Sequence, residues 1–409
     1  MKIAYLTGEY PRATDTFIQR EVAQLRKLGF EVETCSIRRT DAAHLVGPEQ
    51  REEAKQTFHV LPAFASLRGL GTLLRNLGRG SFWGALGLAW RTAPRGVKGR
   101  LYNLIYLAEA AVLADRMQAH GITHLHNHIA KASCTVAMLA SRISGIPFSF
   151  TLHGPDIFFE PHHWRLDEKI ARAQFVACIS HFCRSQAMVF SAPEHWAKLH
   201  IVHCGVEPDR YGARDRPSGR ASVLFVGRLA GVKGVPVLLR TCAALRASGL
   251  EFDLTLVGDG PERASHEALV SELGLTGVTF AGYQSQSRVA ELLAGADMLV
   301  LPSFAEGVPV VLMEAMAAQV PVVTTRIAGV PELVEDGVSG LLVPPGDDVA
   351  LGVAMSSLLD DADLRARMGA AGREKVLAEF DIAQEAAWLG HLVTAHHEGR
   401  TPGLRPGAA

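Results

Sequence analysis

Two carboxylates and two cations stand where their types and spacing can do chemistry. Glu306 and Glu314 bracket the apolar run VPVVLM in SFAEGVPVVLMEAM. A buried helix needs neither. Pro309 suits the first turn of a helix. Glu306 then lies on the loop before that helix, and Glu314 about a turn and a half inside it. A ligand at this helix N-terminus meets Glu306, the backbone of Gly307, Val308, Pro309 and Val310, and Glu314 together. The amides and the helix dipole favour an anionic phosphate. A carboxylate instead accepts hydrogen bonds from vicinal hydroxyls, as on a ribose or a hexose. One sugar on each side of a diphosphate is a nucleotide sugar. The plainer alternative makes Glu306 a helix-end charge and Glu314 an exposed helical residue, and residue chemistry alone leaves both open.

The cations are Arg228 and Lys233 in VGRLAGVKGV, on a glycine-punctuated loop after a strand that ends at Gly227. Two cations beside a helix N-terminus suit a diphosphate; two solvated loop cations are the alternative. LTLVGDGPE is a second strand-to-helix turn, yet neither half carries GxGxxG in its first such turn, which disfavours a hydride-transferring dinucleotide enzyme. Asp259 reads as a helix cap ahead of Pro261. His124, His126 and His128 alternate in HLHNH and share one strand face. No cysteine or carboxylate nearby in sequence completes a tetrahedral metal set, and only Asp156 offers to approach in space. No metal is expected; His126 or His128 at an acceptor surface is the preferred reading.

The elements that position these residues alternate. KIAYLT, FEVETCSI, THLHNH, PFSFTLHG, QFVACIS and LHIVHCG read as strands in the first half, and TFIQREVAQLRKLG and KASCTVAMLASRISG as helices closed by glycine. A polar, Gly- and Pro-rich stretch near Glu207 reads as a linker. The pattern restarts with SVLFVG, EFDLTLVG, GVTFAG, ADMLVLP, PVVTT and GLLVPPG. The expected fold class is α/β, with two Rossmann-like βαβ domains facing each other across a cleft. Their expected extents are 1–206, a linker 207–220, and 221–380. A C-terminal helix, 381–398, is expected to pack back on the first domain, followed by a disordered tail, 399–409.

A length of 409 residues suits more than one domain, and a net charge of −1 gives no case for nucleic acid. The six scattered cysteines read as reduced thiols of a cytoplasmic protein. MKIAYLTGEYP begins on a strand too short for a leader, and no apolar run is long enough to span a membrane. Residues 54–107 contain eight Lys or Arg and no Asp or Glu, interleaved with Leu, Phe and Trp. That basic, helical-looking insertion suits an anionic membrane surface, which would place the protein peripherally at the inner face of the membrane; a water-facing cationic subdomain is the alternative.

The second half resembles the retaining, GT-B-fold glycosyltransferases of family 4. The resemblance rests on LFVGRL…KG, VGDGP, VTFAGY, LPSFAEGVPVVLMEAMA, PVVTT and PELVEDGVSGLLVPPGD, with the two glutamates as the family signature. In the first half, YPRATDTFIQREV and HLHNHIA are similar to motifs of bacterial exopolysaccharide and colanic-acid-type transferases, with Ile129 in place of a Phe. TLHGPDI matches a loop whose His points at the donor sugar. Relatives often carry a Gly pair in the first loop, where this chain has only Gly8.

The resemblance implies that Arg228 and Lys233 grip a diphosphate, and that Glu314 binds the ribose with Gly258 and Tyr283 along the nucleotide. Glu306 and His153 would serve the donor sugar, helped by the backbone of Gly307, Val308, Pro309 and Val310. Thr16, Phe17, His126 and His128 would lie on the acceptor side. The implied donor is a UDP- or GDP-sugar, the acceptor a glycan or lipid-linked glycan in polysaccharide biosynthesis, and the reaction needs no cofactor or metal. A nucleotide-sugar epimerase of the same fold and a non-catalytic nucleotide-sugar or carbohydrate-binding protein are the rival functions. A phosphorylase would need a lysine for pyridoxal phosphate, and lysine is scarce in the second half.

Overall fold

The computed structural model describes residues 1–212 and 219–405; the side chains of residues 67, 68, 70 and 156 lie outside the described ones, and with them the cation of Arg68 and the carboxylate of Asp156. The chain forms two compact units, Met1–His203 with the segment from Gln384 onward, and Cys204–Ala383.

The first unit is built on a parallel sheet of seven strands in the order β3-β2-β1-β4-β5-β6-β7. These are β1 (Lys2–Glu9), β2 (Glu31–Arg38), β3 (Phe58–His59), β4 (His124–His128), β5 (Phe148–Leu152), β6 (Val176–Cys178) and β7 (Leu199–Ile201). Every residue of β4 and β5 is buried, as helices on both faces of a parallel sheet require. Helix Thr16–Lys27 buries Ile18, Val22 and Leu25, and Gly29 follows it with φ +88°. That left-handed turn lets the chain reverse into β2 without a Cβ clash. The last helix, Ile382–His397, returns to this unit. Trp388, Leu389, Leu392 and Val393 join one buried cluster with Ile3, Tyr5, Ile18 and Val22. Each such buried side chain contributes about 1.5–3 kcal/mol. Beyond it, the described part of the expected tail is tied down, because Arg405 pairs with the buried Glu385; residues 406–409 lie outside the described ones.

The insertion at 54–107 departs from an all-helical reading. It opens on the end of helix Pro48–Gln56 and then supplies β3, whose two residues pair with Cys35 and Ser36 of β2. A two-residue edge strand has no periodicity to read. Four helices follow, Val60–Phe64, Leu67–Leu77, Gly80–Thr92 and Val97–Ala119. Two of the cations are held by the fold, since Asp115 receives Arg75 at 2.7 Å and Arg79 at 3.3 Å. Among the described residues no helix is long and apolar enough to cross a membrane. All six cysteines are buried, and none is in a disulfide.

The second unit carries β8 (Ala221–Val226), β9 (Phe252–Val257), β10 (Val278–Gly282), β11 (Met298–Leu301), β12 (Val322–Thr325) and β13 (Gly340–Val343), parallel in the order β10-β9-β8-β11-β12-β13. Glu207–Gly212, linker-like in composition, is built into this unit. Tyr211 is buried, and Arg373 donates to its carbonyl at 2.9 Å. Residues 213–218 of the expected linker lie outside the described ones. In both sheets the strand order reverses beside the first strand. At such a switch point the strand exits diverge and leave a crevice for ligand.

Candidate active site

In the second unit the crevice lies between the exits of β8 and β11. Beyond β8, Gly227 donates its N–H to the carbonyl of Val257, and Leu229 to that of Asp259. The loops after β8 and β9 therefore run together. A Cβ on Gly258 would stand 2.0 Å from the Gly227 carbonyl oxygen. This packing alone demands glycine there. Gly258 also donates to Gly282 at 2.8 Å, which brings it beside half-buried Tyr283. Asp259 does not cap a helix. The helix starts at Arg263 behind Glu262, while Asp259 accepts from the Gly260 N–H and pairs with Arg263.

Arg228 is exposed and has no ion-pair partner among the described residues. Lys233 ends a single 3-10 turn, and Gly234 follows at φ +66° as the N-cap of helix Val235–Ala247. A Cβ on Gly234 would lie 2.0 Å from the carbonyl oxygen of Pro302 at the β11 exit. The Phe304 N–H, in turn, donates to Val232 at 2.8 Å. The lysine loop is thus clamped to the glutamate loop. Gly234→Ala is expected to cost at least about 1–3 kcal/mol from the left-handed strain, and more as the clamp opens. Gly87→Ala, in a helix with open space around it, should be neutral or stabilising by up to about 1 kcal/mol. Chemical denaturation of the two variants checks both; equal midpoints would dismiss the clamp.

The clamp joins two residues 73 apart in sequence. Lys233 Nζ lies 2.5 Å from Glu306 Oε1, and Ser303 Oγ donates to the same oxygen at 2.6 Å. Both bonds fall on Oε1, and no bond to Oε2 is recorded among the described residues. The ammonium keeps two of its three donors. Glu306 is 8% exposed, as is Glu314, so Glu314 is not the exposed helical residue of the plainer reading. Glu314 sits in the helix Val310–Ala317, with Pro309 as its N-cap. Pro309 carries no N–H, so the donors there are Gly307, Val308 and Val310; Pro309 contributes only its fixed backbone angle. Ser303 was not legible as a site residue. Its only signal is its place three residues before Glu306 at a strand exit.

In the first unit, His153 follows β5 and is half-buried. Its Nε2 lies 3.0 Å from His128 Nδ1, and His128 Nε2 lies 2.9 Å from Glu21 Oε1. Tyr5 Oη also donates to Glu21. The Phe17 ring packs 4.9 Å from that of His153. Thr16 starts the helix that carries Phe17 and Glu21. His126 and His128 do not line a surface. Both are buried, and His126 is held between Ser149 Oγ at 2.8 Å and Thr151 Oγ1 at 2.9 Å. Burial lowers the His128 and His153 pKa values to about 3 and holds that of His126 well below the usual imidazole value, which makes the three rings neutral at pH 7. Burial raises the Glu21 carboxyl. Glu21, His126 and His128 also bring donor atoms within 4.8 Å of one another, close enough to hold a metal ion. Their ring nitrogens are nonetheless engaged by protein groups. The sequence signal for Glu21 was a carboxylate at the buried stripe of Ile18, Val22 and Leu25.

The same architecture occurs in sucrose-phosphate synthase from Thermosynechococcus elongatus, with a TM-score of 0.73 at 20% identity over 98% of this chain and 100% of that one. Anabaena HepE, in a crystal structure with UDP and glucose, gives 0.73 at 19% identity over 97% and 100%. The architecture is that of GT-B glycosyltransferases, two Rossmann-like domains in one chain. Residues 15–210 match the family model described as Glycosyltransferase Family 4, and residues 212–375 the one described as Glycosyl transferases group 1. N-acetyl-alpha-D-glucosaminyl L-malate synthase of Bacillus anthracis is 30% identical over 67% of this chain and 75% of its own length. The putative colanic acid biosynthesis glycosyltransferase WcaL of Escherichia coli is 28% identical over 93% and 96%. The amylovoran biosynthesis glycosyltransferase AmsK of Erwinia amylovora is 27% identical over the same shares. The chain belongs to glycosyltransferase family 4.

Proposed function

We propose that the enzyme transfers a sugar, with retention of anomeric configuration, from a UDP- or GDP-sugar to a glycan or lipid-linked acceptor in polysaccharide biosynthesis. The observation that carries this is the Lys233–Glu306–Ser303 cluster beside the N-terminus of helix Val310–Ala317, with exposed Arg228 on the neighbouring strand exit. Arg228, the two remaining donors of Lys233 and the amides of Gly307, Val308 and Val310 receive the diphosphate. Glu306 offers Oε2 to a sugar hydroxyl, and Glu314 accepts from the ribose, with Gly258 and Tyr283 along the base. His153 serves the donor sugar, and Thr16 and Phe17 stand on the acceptor side.

Reaction breaks the bond from the anomeric carbon to the diphosphate oxygen and forms one from that carbon to the acceptor oxygen on the same face. The acceptor proton passes to the departing phosphate. Charge gathers on the diphosphate as the bond breaks, so fixed cations and amides stabilise the transition state more than the ground state. That charge is met by the protein's own groups, and EDTA is expected to leave turnover unchanged. The names of WcaL and AmsK support the polysaccharide context. The acid-free segment 54–107 supports a peripheral site at the inner face of a membrane.

A donor panel tests the reaction. UDP-, GDP- and ADP-sugars are incubated with the enzyme, with and without EDTA, and nucleoside diphosphate release is followed. One donor should release nucleotide, and Glu306→Ala should suppress that release at least tenfold. Conversion of the sugar nucleotide to an epimer without release would replace transfer by epimerisation. Binding without turnover for any acceptor would support a binding protein.

A further inference from the structure

Ile129, the residue that follows β4, has φ +70°. Four non-glycine residues among the described ones adopt a positive φ, and of these only Ile129 is branched at Cβ. A branched Cβ crowds the backbone, so the left-handed conformation is a genuine outlier for isoleucine. Glycine would occupy it at no steric cost. Strain of this kind persists only where the surroundings over-determine it, and here they do. The Ile129 carbonyl accepts from the Lys131 N–H at 2.9 Å, from Asn127 Nδ2 at 3.1 Å and from Ser133 Oγ at 3.3 Å. The Ile129 N–H donates to the Thr151 carbonyl on β5 at 3.3 Å. The next two carbonyls, of Ala130 and Lys131, accept from the Lys169 ammonium, each at 2.8 Å. Lys169 is fully buried, and burial lowers its pKa to about 8. Carbonyl dipoles solvate an ammonium without neutralising it. A second cost thus falls on the same turn.

If the turn needed only this backbone shape, glycine would supply it without strain. What isoleucine adds is an apolar side chain, and the residue is half-buried rather than enclosed. Ile129 stands at the exit of β4 beside β1, where the strand order of the first sheet reverses. Ligands bind at such switch points. His128 precedes it and lies 3.0 Å from His153. The Phe17 ring packs 4.9 Å from that of His153 and 6.2 Å from that of His128, and Phe17 is half-buried too. This end of the sheet therefore carries two half-buried apolar residues around a histidine pair. Apolar walls with a few fixed polar groups are the composition of a small-molecule site. A pyranose matches it, with C–H groups across one face of the ring and hydroxyls at its rim. The diphosphate and ribose positions lie in the second unit, which leaves the acceptor sugar for the first.

We propose that Ile129 is a specificity-determining residue of the acceptor site, its side chain packing on the C–H face of the terminal pyranose of the acceptor glycan. The strained turn and the buried lysine hold that side chain in place. The word acceptor rests on the sugar-transfer reading given above; the contact with a pyranose is tested without turnover.

Two truncations of the full-length protein separate strain from side chain. Ile129→Ala and Ile129→Gly both remove the side chain beyond Cβ, and only glycine also removes the strain. Ile129→Gly is expected to melt roughly 2–4 °C above Ile129→Ala, the reverse of the order at an ordinary position. Saturation-transfer NMR with the methyl glycosides of glucose, galactose and mannose, in the presence of UDP or GDP, reads the contact. At least one glycoside should receive saturation at its ring C–H groups, and both truncations should weaken its binding at least fivefold. Ile129→Val, apolar and branched at the same backbone angles, should restore most of it. With that glycoside as acceptor, both truncations should raise its KM at least fivefold and leave the donor KM in place. Equal melting temperatures would overturn the strain on which the proposal stands. Undiminished binding in Ile129→Gly, or a loss confined to Ile129→Ala, would overturn the contact. So would a rise in the donor KM alone, or saturation of no glycoside by the unaltered protein. Absence of nucleotide release from every donor would refute sugar transfer instead, and the glycoside binding would still be read.

Discussion

Replacing Lys233 with alanine is expected to lower kcat/KM for the nucleotide sugar by about 10²–10³-fold, the loss seen when one preorganised donor to a developing anion is removed. Most of the loss should fall on kcat, because the departing diphosphate carries more charge in the transition state than in the bound donor. The variant also strands Glu306, which is 8% exposed and keeps only Ser303 on Oε1. An almost buried carboxylate without its cation is destabilising. Lys233→Ala with Glu306→Ala should therefore lose much less than the product of the two single losses, the non-additivity expected of groups in direct contact. Lys233→Arg should restore little, since a planar fork does not replace a compact ammonium 2.5 Å from its carboxylate. Steady-state nucleotide release over a range of donor concentrations checks all three. An unchanged kcat/KM in Lys233→Ala would remove this residue from the diphosphate site, and multiplicative single losses would remove the coupling.

The second large effect is expected along Glu21, His128 and His153. In its ionised form, with the imidazoles neutral, Glu21 accepts from Tyr5 and from His128 Nε2, and His128 Nδ1 then accepts from His153 Nε2. The chain orients the His153 ring and sets its tautomer, as a carboxylate does for a catalytic imidazole elsewhere. Glu21→Gln keeps the shape but offers an amide N–H where a lone pair stood, and the preferred direction of the chain is lost. The expected result is a fall in kcat of roughly 10–100-fold with little change in the donor KM, the scale on which loss of a partner that orients a functional histidine acts. His153→Ala should fall at least as far. Glu21→Gln with His153→Ala should be no slower than His153→Ala alone, because residues acting as one unit are lost once. Multiplying losses would break the relay. A melting temperature for each variant separates this from unfolding, and nitrogen-15 spectra of the His153 ring should show the tautomer change in Glu21→Gln without any substrate.

Much of the architecture was legible because each signal is local. Short apolar runs ending in glycine or proline mark the parallel strands, and a 3.6-residue stripe marks helix Thr16–Lys27. β3 was not legible, since two residues carry no period. Glu207–Gly212 misled by composition: its polar residues sit on a surface that Tyr211 and Arg373 fasten to the second unit. Pro309 was placed rightly at a helix start, but its ring nitrogen removes one of the amides expected there.

By itself the sequence determined which groups exist and what each can do. Glu306 can accept from hydroxyls, Arg228 and Lys233 can meet a phosphate, and strand-ending glycines let a backbone approach. Those properties belong to a residue and its near neighbours. Only the tertiary structure decided the pairings. Lys233 meets Glu306 across 73 residues, and His128 meets Glu21 across 107. The surface-facing role expected of His126 became a buried one through Ser149 and Thr151 on the adjoining strand. Side-chain chemistry acts within about 3 Å, and which distant residues come that close is set by strand order and register. No local pattern along the chain encodes that choice.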